Sequence, residues 1–117
     1  MFTAPRLLFT FVDMKEAQAE LSEVLGLPEA GGQTEAEFLR RLADAVDYWM
    51  QHRMEQLMSI CYTLDVDERL VAEAFHPGAP EPANVGLARL LYERQRARIR
   101  TKQEITSPPL NEDDDAW

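Results

Sequence analysis

Six of the chain's twelve basic residues crowd into residues 89–102: Arg89, Arg94, Arg96, Arg98, Arg100 and Lys102. Only Glu93 opposes them there, so the stretch carries +5 between flanks of −9 (residues 1–88) and −5 (residues 103–117). Guanidinium groups pair carboxylates and phosphates through two parallel N–H donors, so such a stretch calls for an anionic counterpart. In a helix, arginines two positions apart stand about 200° apart. Arg94 and Arg98 then form one row, and Arg96 and Arg100 another. Three counterparts compete: the acidic helices of the same chain, an acidic protein partner, and nucleic-acid phosphates. The excess of acid in the chain favours the first. Cations near a helix C-terminus also meet the favourable end of its dipole.

Other groups have chemistry to weigh. The tail carries Asp113, Asp114 and Asp115 and ends at Trp117. Its charges and terminal indole suit docking into a basic groove, on this chain or another, or simple solubilisation. Met50, Met54, Met58 and Cys61 follow at spacings of four, four and three, which places four sulfurs on one helix face. Soft sulfur ligands suit Cu(I), but methionine also fills irregular cores, and core packing is the reading adopted. Glu73 and His76 have the Glu-x-x-His spacing of di-iron bundles, which need the motif twice. It occurs once here, and His76 is better read as a C-terminal cap. His52, with Glu55 and Gln56 on its face, reads as a solvated surface residue. No phosphate-cradling Gly loop, Ser/His/Asp set or paired-cysteine motif is present. The expectation is therefore no enzyme, no metal and no cofactor.

These residues must be positioned by helices. The first is expected over residues 4–25, capped by Thr3, with Leu7, Phe11, Met14, Gln18, Leu21 and Leu25 on one stripe and Gly26 and Pro28 stopping it. A competing reading makes residues 7–12 a strand and starts the helix at Asp13, with Glu16 completing a capping box. Thr34 and Glu37 form a capping box for a second helix that meets no Gly or Pro before about Leu64. Phe38, Leu42, Ala45 and Trp49 begin its apolar stripe, and Met50, Met54, Leu57, Cys61 and Leu64 continue it. It would be about 45 Å long, with the polar cluster at 51–53 marking the place for a kink. Asp65 or Asp67 caps a short third helix reaching Phe75, with Leu70, Val71 and Ala74 facing inward. Pro77, Pro80 and Pro82 force a loop. The last helix runs from Ala83 or Asn84 to Lys102. The alternation of Arg with other residues in its second half is formally a strand pattern, but Arg, Gln and Ala favour helix and nothing interrupts them. Residues 66–102 can be drawn as a helix–turn–helix, but the connection is longer than the usual three or four residues.

The architecture expected is an all-α bundle of about four helices, two long and two shorter, over residues 1–105, with a flexible acidic tail over 106–117. The apolar stripes exceed what one copy would cover, which points to a homodimer. The net charge of −9 argues against general nucleic-acid binding. One cysteine permits no intrachain disulfide, and no apolar run approaches a membrane span, so a cytoplasmic protein is expected. The apolar run at 7–12 is shorter than a signal core. The leading functional expectation is a non-catalytic protein–protein interaction or assembly protein. It would use apolar helix faces, the basic helix and the acidic tail. The alternative is a nucleic-acid-associated regulator contacting phosphates through residues 89–102.

Overall fold

A computed structural model describes residues 3–28 and 33–106, with side chains over 12–28 and 33–102. Five helices run in the order α1 (Thr3–Leu25), α2 (Glu35–His52), α3 (Met54–Thr63), α4 (Glu68–Ala74) and α5 (Ala83–Thr106). There is no strand among the described residues. The segment of residues 7–12 is helical, and so is the arginine-rich half of α5, which continues past Lys102 to Thr106.

Local chemistry sets most of the helix ends. At α2 the Thr34 hydroxyl accepts from Glu37 N at 3.1 Å, and Thr34 N donates to the Glu37 carboxylate at 2.9 Å. The capping box is thus closed in both directions. Asp67, rather than Asp65, caps α4, its carboxylate accepting from Arg69 N at 2.9 Å. Gly26 ends α1 at φ +72°, and Leu27 N reaches back to Ser22 O at 2.8 Å. Asp65 ends α3 in the same left-handed conformation, φ +65°. Val66 N bonds Cys61 O at 2.9 Å and Asp65 N bonds Tyr62 O at 3.0 Å, the two bonds of a Schellman ending.

The expected long second helix is divided. Arg53, at φ −145° and ψ 50°, leaves helical geometry between α2 and α3. Its N–H still donates to Trp49 O and its carbonyl still accepts from Leu57 N, so the break is one residue wide. The Arg53 guanidinium lies 5.1 Å from the centre of the Trp49 ring. The bundle therefore has five described helices rather than four.

α5 packs against α1, α2 and α4, and α2 packs against α1 and α3. The core joins Leu21 and Leu25 of α1, Phe38, Leu42 and Val46 of α2, and Leu57 and Cys61 of α3 to Leu87, Leu91 and Ile99 of α5. Phe38 and Tyr92 meet as tilted rings with centres 5.6 Å apart. Two expectations about facing need correction. In α4 no residue is fully buried: Leu70 is exposed, while Val71 and Phe75 pack against the core and Ala74 lies against Gly86 of α5. In α1 the buried side includes Asp13, Ala17 and Ser22 besides Gln18, Leu21 and Leu25, so the face is rotated from the stripe expected. The side chains of Leu7 and Phe11 lie outside the described residues, as do Asp113, Asp114, Asp115 and Trp117.

Candidate functional site

The arginine rows of α5 face two different structures. Arg96 and Arg100, one turn apart, converge on Asp13 of α1. Arg96 Nε is 3.2 Å from one carboxylate oxygen and Arg100 Nε is 2.9 Å from the other. Asp13 is fully buried. A carboxylate taken out of water is costly unless its oxygens are matched by donors, and here each oxygen receives a charged one. Arg96 also approaches Glu35 at 3.4 Å, and its guanidinium lies 5.7 Å from the centre of the Tyr92 ring. Tyr92 donates its hydroxyl proton to Glu35 at 2.9 Å. Burial pushes the Tyr92 phenol up to about 12, and the Glu35 carboxylate adds to the rise.

Arg94 and Arg98 face the other way, onto the C-terminus of α3. Arg94 Nε donates to Leu64 O at 3.0 Å, and its Nη2 lies 3.5 Å from Asp65. Arg98 Nη1 donates to Thr63 O at 3.3 Å. Carbonyls in the last turn of a helix lack intrahelical partners, and the dipole there is negative, so two guanidiniums satisfy both demands. Arg89 stands apart, one turn nearer the start of α5. Its Nε and Nη2 bind the two oxygens of Glu81 at 3.2 and 2.9 Å. The Arg89 hydrogen bond lowers the Glu81 carboxyl below its usual range. Lys102 is exposed near the end of α5.

Between the two rows lie Ile99, buried and apolar, and Gln95, buried and polar. Gln95 donates to Glu20 of α1. Gln95 Oε1 on α5 has no hydrogen-bond partner, while the Gln18 side chain on α1 approaches the Tyr92 hydroxyl and opposes the rise of its phenol. Asp13, Glu20, Glu35, Tyr92 and Gln95 thus complete a polar layer that sequence reasoning did not assemble. Asp13 had a visible signal: it lies four residues before Ala17 and eight before Leu21, on their face of the helix. An acid at such a position needs a cation from another element.

The other sequence candidates separate. The break at Arg53 puts Met50 on a different helix from Met54, Met58 and Cys61. Met54 is exposed, while Met50 and Met58 pack against the core. Cys61 is buried, and desolvation pushes its thiol up to about 11. A thiol held protonated in this way is a poor nucleophile and a poor ligand. His76 does not cap α4 with its ring. Its backbone N–H makes the bond to Glu73 O at 3.1 Å, and its Nδ1 accepts from Gly78 N at 2.9 Å. No group of three or more His, Cys, Asp or Glu residues able to hold a metal exists among the described residues. His52 lies on the surface with its ring centre 4.5 Å from that of Tyr48.

Among the described residues no helix is long and apolar enough to cross a membrane. No protein family, no curated protein and no solved structure matches the chain.

Proposed function

We propose that the protein is a non-catalytic helical interaction protein that assembles as a homodimer and offers exposed aromatic surface to other proteins. The observation that carries this reading is where the large apolar side chains lie. Tyr62 is 80% exposed and Tyr48 is 57% exposed, with Val24 beside Tyr48 and Leu70 on α4 also outside the core. Aromatic residues on a surface bring large contact area at low entropic cost, and they anchor interfaces. Val24, Leu27, Tyr48 and Trp49 share one surface hollow at the adjoining C-terminal ends of α1 and α2. A second copy would cover this apolar zone.

Arg89, Arg94, Arg96, Arg98 and Arg100 each bind a carboxylate or carbonyl of their own chain. They hold the fold that presents the aromatic surface. Phosphate contact through residues 89–102 would compete with those pairs, so the nucleic-acid reading has the weaker support.

The test is the molar mass of the full chain by light scattering, at low and high salt, beside Tyr48→Glu. The expected result is a dimer at both salt concentrations and a folded monomer for the variant. A monomer under all conditions would remove the dimer. A dimer that dissociates in salt would place charge, rather than the apolar zone, at its interface.

A further inference from the structure

We propose that the cleft between α3 and α4 docks a basic amphipathic helix supplied by a protein partner, a proposal that rests on the reading of the chain as an interaction protein. The cleft holds about 580 Å3 and opens to solvent. Met58, Cys61, Val66 and Val71 make its floor. Tyr62 stands at its edge, the most exposed large apolar side chain described. Met54, Met58 and Tyr62 recur every four residues along α3, so an apolar row continues from the cleft for about 12 Å along the helix. Methionine side chains adapt their shape to what they meet, which suits a surface that receives another helix.

The rim decides the chemistry of the occupant. Asp65, Asp67 and Glu68 line it, against Arg69 alone. The Asp65 side chain is 84% exposed even though Arg94 approaches it from within. The chain's net charge of −9 extends the same attraction to long range. An apolar floor with an acidic rim matches a helix whose apolar residues at i, i+3, i+4 and i+7 are flanked by Lys or Arg. A second copy is a poor source of such a helix. Its one strongly basic element is α5, whose arginine rows are turned onto α1 and α3.

The probe is a synthetic 14-residue helical peptide with Leu at those four positions and Lys on the remaining face. Two controls accompany it, one with Glu in place of Lys and one with the leucines scrambled. Anisotropy of the labelled peptide is measured against the full-length protein, and amide shifts locate the site. The expected result is saturable binding of the Lys probe alone, with shifts confined to residues of α3, α4 and the turn between them. Tyr62→Ala should weaken it about tenfold, the loss of a typical aromatic anchor. The pair Asp65→Asn and Glu68→Gln should weaken it several-fold and flatten its salt dependence. These substitutions lie on the surface, and Asn tolerates the left-handed conformation at position 65. The proposal is overturned if the Lys probe does not saturate, if either control binds equally, if Tyr62→Ala has no effect, or if the shifts fall elsewhere. It is also overturned if Tyr62→Ala converts a dimer to a monomer, because the cleft would then belong to the self-interface. Failure of the probe with an intact dimer removes the cleft alone, whereas loss of both removes the broader reading.

Discussion

Replacing Asp13 by Asn keeps the side chain's size and removes its charge. The carboxylate is fully buried, while the Arg96 side chain is 19% exposed and that of Arg100 is 44% exposed. Breaking a buried ion pair from one side costs about 3–5 kcal/mol, chiefly because the other charge is left buried without compensation. Arg96 would keep Glu35 at 3.4 Å, and Arg100 can turn toward water, so the cost belongs at the lower end, about 3 kcal/mol. That is a large part of the roughly 5–15 kcal/mol that holds a domain folded. The asymmetry between the arginines gives a sharper test. In double-mutant cycles with Gln, Asp13 should couple to Arg96 by about 2 kcal/mol and to Arg100 by about 1 kcal/mol or less, since solvent screens the second pair more. Urea unfolding of the full chain, followed by circular dichroism, measures all of these. Adding salt should change them little, because the carboxylate is shielded from ions. If Asp13→Asn costs under about 1 kcal/mol, or if the Arg100 coupling exceeds that of Arg96, the buried pair is not what fixes α1 to α5.

Two further outcomes follow from local geometry. Gly26→Ala should destabilise by about 1 kcal/mol in thermal or urea unfolding, because an added Cβ meets nothing within 4 Å and only the left-handed backbone opposes it; an unchanged midpoint would refute that account. At high pH, Cys61 and Tyr92 act in the same direction. Both have folded values raised, to about 11 and about 12, so the folded state holds their protons longer than the unfolded chain does. Their contribution is complete below the unfolded values and is lost as pH rises through the folded ones, so stability should fall between about pH 9 and pH 12. Tyr92→Phe should flatten the upper part of that fall, and a curve identical to that of the unmodified protein would count against the burial argument.

Much of the helical framework was legible from the residues alone. The Thr34–Glu37 box, an aspartate cap before α4 (Asp65 or Asp67), the stop at Gly26 and the proline loop before α5 all depend on groups within a few positions of one another. Such signals are complete in a short window of sequence, so they survive without any knowledge of the fold. The two arginine rows were likewise set by helical geometry, 100° at a time.

What each row binds could not be read that way. Arg100 and Asp13 are 87 residues apart, and Arg96 and Glu35 are 61 apart. Nothing near either arginine marks its partner, and a chain with so many acids offers many equivalent choices until the helices are packed. The same holds for the inward face of α1, on which Asp13 meets Arg96 and Arg100 beside the core residues Ala17, Leu21 and Leu25. The break at Arg53 was legible in part: the polar cluster at 51–53 marked the place for a kink, but no Gly or Pro there showed that it would divide the helix into α2 and α3. Sequence determined that there would be a basic helix with two faces. Tertiary packing decided that both faces serve the chain itself, because only packing brings a distant buried carboxylate to Arg96 and Arg100 and the open end of another helix to Arg94 and Arg98.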